Sequence, residues 1–312
     1  MNTHYLPRWL LKRFRGATLF QLDVMTGKIE SRSIENAGSG DDLWPGDIET
    51  GVMKPPDNKA AQIFRKKIAG HDGASAGVPV TDDEIVLTEV EQKDFAVWLT
   101  LFLPRVPKAL KDLETLAAKV RDDPGFAMSL VYQHPEAIVE QVKTDNPEFY
   151  NKAVADLGKV EAEAVFLGAI IDRTKPSDWP TPQFAYEFHL RKRDFEPIAG
   201  VLIHKFQWVW LRSREPLVIG DNPFCRVEKA TGELSGPIRR MTEITMPLSS
   251  QLCLLLEPPH REYAPHVIEC PSEDTRRLNL RQRFAATKYV YAGDEAVLAS
   301  LRQAERPSPK RM

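Results

Sequence analysis

His4 and Tyr5 stand just ahead of Pro7, a residue suited to the first position of a helix. The partial positive charge of a helix N-terminus disfavours a protonated imidazole, so His4 is expected to stay neutral and to serve as base or metal ligand. Arg8 follows one turn away, where it can hold an anion, although a solvated basic face is the default explanation for it. Asp221-Asn222-Pro223 closes the apolar run Leu217-Val218-Ile219-Gly220. A carboxylate fixed at a strand end is a common carrier of catalysis or metal binding, and Asp-Asn before Pro is also ordinary turn chemistry. Arg105, between Pro104 and Pro107 at the end of an apolar stretch, needs a carboxylate or an anionic ligand if it is buried. Glu49 and Asp221 are the candidate partners. On the segment from Ser272, the residues Arg276, Asn279 and Arg283 recur at three- and four-residue spacing, a polar face that can grip phosphate or simply be solvated.

If these groups converge, they supply a base, a carboxylate and positive charge, the ingredients of phosphodiester hydrolysis. In that reading His4 deprotonates water, Asp221 holds a metal or the water, Arg105 steadies the charged transition state and Asn279 completes the set. Tyr5, Arg8, Asn222 and Arg283 are then the binding residues. A divalent cation is the implied cofactor, and nucleic acid or another phosphate-containing ligand the implied partner. The alternative is a non-catalytic binding or effector module. There His4-Tyr5-Leu6-Pro7 is a folding plug against the strand bearing Trp208 and Trp210, and Asp221 caps a turn.

The elements that position these residues can be read from periodicity. Pro7 to Gly16 reads as a short helix with Leu10, Leu11 and Phe14 on one face. Thr18–Val24 and Lys28–Ile34 around Met25-Thr26-Gly27 read as a β-hairpin. Glu35–Asn58, rich in Gly, Asp and Pro, reads as a loop, Lys59–Ala69 as a helix, and the Gly-rich stretch 70–79 as a linker. Thr88 with Glu91 has capping-box spacing and opens a helix to Pro104. Helices are expected over Lys108–Arg121, from Pro135, and from Asn146-Pro147 to Asp172.

Beyond Pro180 the pattern turns to strands: Lys205–Arg212, Leu217–Gly220, and the pair Met241–Met246 and Gln251–Glu257. A helix from Ser272 to Ala286, a last strand Lys288–Ala292 and a last helix Asp294–Gln303 follow. The expected class is α+β, with an N-terminal helix and hairpin, a helical middle, and a C-terminal, mainly antiparallel sheet with flanking helices. The expected division is 1–175, 176–304 and a tail 305–312.

Composition bounds the reading. Of 312 residues, 42 are basic and 44 acidic, for a net charge of −2, so no global field points to duplex nucleic acid or a membrane surface. No apolar run approaches the roughly 18–20 residues of a membrane span. The 3 cysteines are few and far apart, which suits a reducing cytoplasm. Phosphate-loop, dinucleotide, serine-elbow and His-Glu-x-x-His motifs do not occur. Two weaker signals are the His260/His266 segment with Glu269 and Cys270, whose spacing matches no closed zinc site, and the basic run His189–Arg193 beside Phe188 and Phe195.

His4-Tyr5-Leu6-Pro7, with Leu11 and Phe14 at their offsets, resembles the opening signature of the family catalogued as domain of unknown function 4238. The likeness continues through the hairpin, Ile48-Glu49, and the apolar helix ending in Arg105 and Pro107. It then takes in the Trp-bearing strand, Asp221-Asn222-Pro223, Pro247-Leu248-Ser249 and an Asn279-bearing helix. It implies an order of elements and a set of positions, spanning roughly residues 4 to 292, rather than a chemistry.

Overall fold

A computed structural model describes residues 2–41, 46–69, 85–109, 115, 135–173, 195–228, 234, 242–259 and 267–304. The chain divides into two compact units: Met1–Lys108 with Phe195–Met312, and Ala109–Asp194. The first unit is therefore built from both ends of the sequence.

The chain opens with β1 (Asn2–His4) and α1 (Arg8–Leu11). Pro7 stands one residue ahead of the helix in extended geometry, so the rigid ring sets the entry angle rather than the first turn. The expected hairpin is present as β2 (Leu19–Asp23) and β3 (Ile29–Arg32), with Leu22 opposite Ile29. Asp23 closes its turn by accepting from the amides of Met25 and Thr26, and Gly27 supplies a left-handed backbone.

The stretch expected as a loop is instead structured at several points. It holds β4 (Ser39–Asp41), which pairs with β1, and α2 (Gly46–Ile48). A π-helical turn at Glu49–Met53 leads into α3 (Lys54–Ile63), and a second at Phe64–Ile68 follows it. Pro55 and Pro56 mark the first turn of α3, where a missing N–H costs nothing, so the Pro-rich composition hides a helix start. Then come α4 (Glu89–Thr100) and α5 (Phe102–Arg105). The capping box holds: Thr88 Oγ1 accepts from the Glu91 amide and the Glu91 carboxylate from the Thr88 amide.

The second unit contributes α6 (Pro135–Asp145), α7 (Pro147–Leu157) and α8 (Lys159–Arg173). The single helix expected over Asn146–Asp172 is two, because Gly158 takes φ +82° between them. Tyr150, Phe166, Ala162 and Val139 form this unit's own core.

Back in the first unit, α9 (Glu196–His204) packs on α4. The strands β5 (Gln207–Ser213), β6 (Ile219–Gly220), β7 (Cys225–Glu228), β8 (Thr242–Pro247), β9 (Leu252–Glu257) and β10 (Val267–Cys270) follow. Last are α10 (Ser272–Ala285), β11 (Tyr289–Ala292) and α11 (Glu295–Arg302). A five-stranded sheet runs β10-β5-β9-β8-β7, antiparallel except where β10 lies parallel to β5. A four-stranded antiparallel sheet runs β3-β2-β11-β6 and joins the N-terminal hairpin to the C-terminal strand. The protein is α+β.

Among the described residues no helix is long and apolar enough to cross a membrane. The 70–79 linker, most of Lys108–Arg121, His189–Arg193, the segment 260–266 and the tail 305–312 lie outside the described residues.

Candidate functional site

His4 ends β1 and is mostly buried. Its Nε2 lies 3.1 Å from the carbonyl oxygen of Glu35, and it accepts from Arg8 Nε at 3.2 Å. The two contacts call for opposite protonation of that nitrogen, which donates to Glu35 only when it carries hydrogen and accepts from Arg8 only when it does not. Burial, and then the Arg8 charge, hold the imidazole below its usual range, so the ring is neutral as expected. The cause is desolvation and a guanidinium rather than a helix end.

Arg105 is buried, as its flanking prolines suggested. Its Nε donates to the His4 carbonyl at 2.9 Å, and its Nη1 reaches both oxygens of Asp57, at 2.8 and 2.7 Å. Trp98 Nε1 donates to the same carboxylate at 3.0 Å. Asp57 is thus the partner of Arg105, where Glu49 and Asp221 were expected. It was hidden behind Pro55-Pro56, in a stretch whose composition reads as loop. Burial pushes the Asp57 carboxyl up, and the Arg105 guanidinium opposes it. Glu49 is close enough to feel Arg105 and Asp57, is itself raised by burial, and keeps a buried Oε2 without a hydrogen-bond partner.

The signature's apolar residues Leu6, Leu10, Leu11 and Phe14 are fully buried. Trp9, within it, stacks at 5.3 Å on Trp98, which meets Phe95, and Phe95 reaches Trp208 and Trp210. The opening segment is therefore linked to the Trp-bearing strand through α4. Tyr5 is buried, and its hydroxyl shares a 3.1 Å hydrogen bond with that of Tyr291 in β11, which also accepts from the Gly38 amide. Desolvation raises both phenols, so both are neutral.

Asp221 is fully buried after β6. Its carboxylate accepts from the backbone amides of Thr287 at 2.7 Å, Lys288 at 2.7 Å and Tyr289 at 2.9 Å, and its own amide donates to the Tyr289 carbonyl. Burial pushes its pKa up to about 6, against the pull of the three amides. Asn222 donates to the Ala285 carbonyl at 3.3 Å. Asn279 accepts from the Val218 amide and donates to the Pro216 carbonyl, so both ends of its amide are bonded to one strand approach. Gln282, one turn on, repeats the pattern on the Gly220 amide and the Pro223 carbonyl. Its i+3 spacing from Asn279 was the signal available for finding it. Arg283 donates to the Val24 carbonyl at 3.0 Å, while its buried Nε has no partner.

Six of the eight nominated residues thus gather in two places, while Arg283 bonds to Val24 just past β2 and Tyr5 to Tyr291. His4, Arg8 and Arg105 gather around β1 and α5. Asp221, Asn222 and Asn279 gather around β6, α10 and the approach to β11. Tyr5 lies within electrostatic range of Asp221 through Tyr291. Among the described residues, no group of three or more His, Cys, Asp or Glu side chains is placed to hold a metal ion.

A family model described as "Protein of unknown function (DUF4238)" matches residues 2–296. The chain belongs to this family. The DUF4238 match covers the hairpin, both groups of nominated residues and the five- and four-stranded sheets, and ends at the start of α11. No curated protein and no solved structure matches.

Proposed function

We propose that this DUF4238 protein is a non-catalytic binding module whose signature residues hold the two ends of the chain together. One observation carries this reading: the Asp221 carboxylate, the candidate metal or water ligand, is fully buried and accepts from three successive backbone amides at the start of β11. An acceptor so engaged has little capacity left for a metal or water. Asn279 is engaged at both ends in the same way, and Arg105 is neutralised by Asp57. Residues that look catalytic by type act here as internal replacements for main-chain pairing.

A hydrolytic reading is favoured by a different pair of facts. His4 is held neutral, as a base requires, and Glu49 presents a buried oxygen without a partner near Arg105. In it His4 acts as base, Asp221 as metal or water ligand, and Arg105 as the charge stabiliser.

An activity screen separates the two. Wild type, His4→Ala and Asp221→Ala are incubated with single- and double-stranded DNA and RNA in Mg²⁺ or Mn²⁺, with melting temperatures measured in parallel. The module reading expects no cleavage and a lower melting temperature for Asp221→Ala. Cleavage by wild type that is lost in a variant of unchanged melting temperature overturns it.

A further inference from the structure

A cleft of about 750 Å³ opens between α10, α11 and the segment before β6, within the usual size range of small-molecule sites. Its apolar wall is made by Leu280, Val297 and Leu301. Three charged residues line it, Glu215 before β6 and Glu273 and Arg276 on α10. Glu273 is paired with Arg277, whereas neither the Arg276 nor the Glu215 side chain has an ion-pair or hydrogen-bond partner among the described residues.

The neighbouring charges are accounted for. Arg277 pairs with Glu273 and Asp274, Arg281 with Glu243, and Arg283 donates to Val24. Arg276 and Glu215 are therefore opposite charges left open on one cleft without bridging each other.

The backbone that carries them is fixed. Ser213 Oγ donates to the Glu215 carbonyl at 2.6 Å, accepts from the Glu215 amide at 3.2 Å, and shares a 2.7 Å hydrogen bond with Thr275, next to Arg276. Asn279 ties the same wall to Pro216. That frame fixes the points from which the two side chains start, so a ligand that meets both has to order only the side chains themselves.

We propose that this cleft binds a small zwitterion with an apolar body, of which a short aliphatic peptide with free ends is the simplest member. The carboxylate lies on Arg276, which can hold it with two parallel N–H bonds, and the ammonium lies on Glu215. The apolar body covers Leu280, Val297 and Leu301. This rests on the reading of the protein as a binding module and names the place and chemistry of its ligand.

The test is a calorimetric titration of the full chain with the tripeptide Leu-Leu-Leu, its N-acetyl form and its C-terminal amide. The proteins are wild type, Arg276→Gln and Glu215→Gln, two exposed positions whose substitution leaves the melting temperature unchanged. The account expects saturable binding by wild type, weakened about threefold to tenfold by blocking either end. Amidation has no further effect on Arg276→Gln, and acetylation none on Glu215→Gln, because each pair couples specifically.

Absence of saturable binding at millimolar peptide, or equal affinity for free and blocked ends on wild type, overturns the assignment, and the blocked peptides give that answer however the variants fold. Peptide recovered cleaved after the titration overturns the non-catalytic reading and leaves the cleft assignment standing.

Discussion

Arg105 bridges His4 and Asp57, with its Nε on the His4 carbonyl at 2.9 Å and its Nη1 on both Asp57 oxygens. One buried guanidinium thereby fastens the first strand to α3 across 101 and 48 residues of sequence. Removing one partner of such a pair leaves a charge stranded in a poorly solvated place. Asp57→Ala is expected to cost about 3–5 kcal/mol in urea unfolding, and the double variant Asp57→Leu/Arg105→Met less than the single one. A single variant within about 1 kcal/mol of wild type would show that solvent already carries the Arg105 charge.

The Tyr5–Tyr291 pair gives an asymmetric prediction. Tyr291 Oη serves both Tyr5 and the Gly38 amide, whereas Tyr5 Oη serves only Tyr291 among the described contacts. Tyr5→Phe should cost about 0.5–1.5 kcal/mol, the worth of one hydrogen bond. Tyr291→Phe should cost about 1–3 kcal/mol, because it leaves a buried amide unpaired. Equal losses in the two variants would mean that the Gly38 amide finds another acceptor.

Gly38 is required by both backbone and space. Its φ is +61°, and a Cβ there would lie 2.7 Å from the Leu6 Cβ, in the signature itself. The Leu6 amide also donates to the Gly38 carbonyl at 3.0 Å, so neither segment can move away freely. Gly38→Ala is expected to destabilise by about 1–3 kcal/mol from strain alone, read as a fall in melting temperature of several degrees. An unchanged melting temperature would contradict this packing.

His4 and Asp221 give opposite pH dependences. The folded His4 pKa lies below its ordinary 6.5, so on acidification the unfolded chain takes up the proton first. Stability from this group is complete above pH 6.5 and is lost as pH falls below it. The folded Asp221 pKa, about 6, lies above its ordinary 3.8. Between those values the folded chain keeps a proton that the unfolded chain has released, so this group's contribution falls as pH rises through the window. Subtracting the stability profile of His4→Gln or Asp221→Asn from that of wild type isolates each slope. A slope of reversed sign in either difference would contradict the burial that causes it.

Local chemistry made much of the fold readable. The hairpin, the capping box at Thr88, the β8–β9 pair and the final helix–strand–helix all follow from turn residues and short-range periodicity. What escaped was decided by distant contacts. The region expected as a loop forms α3, because prolines in a first turn look like breakers in a sequence and act as starters in a helix. Arg105 was rightly expected to be buried, but its partner Asp57 is joined to it only by tertiary structure. Asp221 stands out as a carboxylate closing an apolar run, and Asn279 as part of a polar helix face with Arg276 and Arg283. A single chain cannot show whether such a residue faces a ligand or its own backbone, since both uses need the same side-chain types.

The central claim, that Asp221 holds backbone rather than substrate, is tested most directly by native-state hydrogen exchange of Asp221→Asn beside wild type. The account predicts that the amides of Thr287, Lys288 and Tyr289, which donate to this carboxylate, lose protection together and that the melting temperature falls. Unchanged protection of all three amides with an unchanged melting temperature would contradict it.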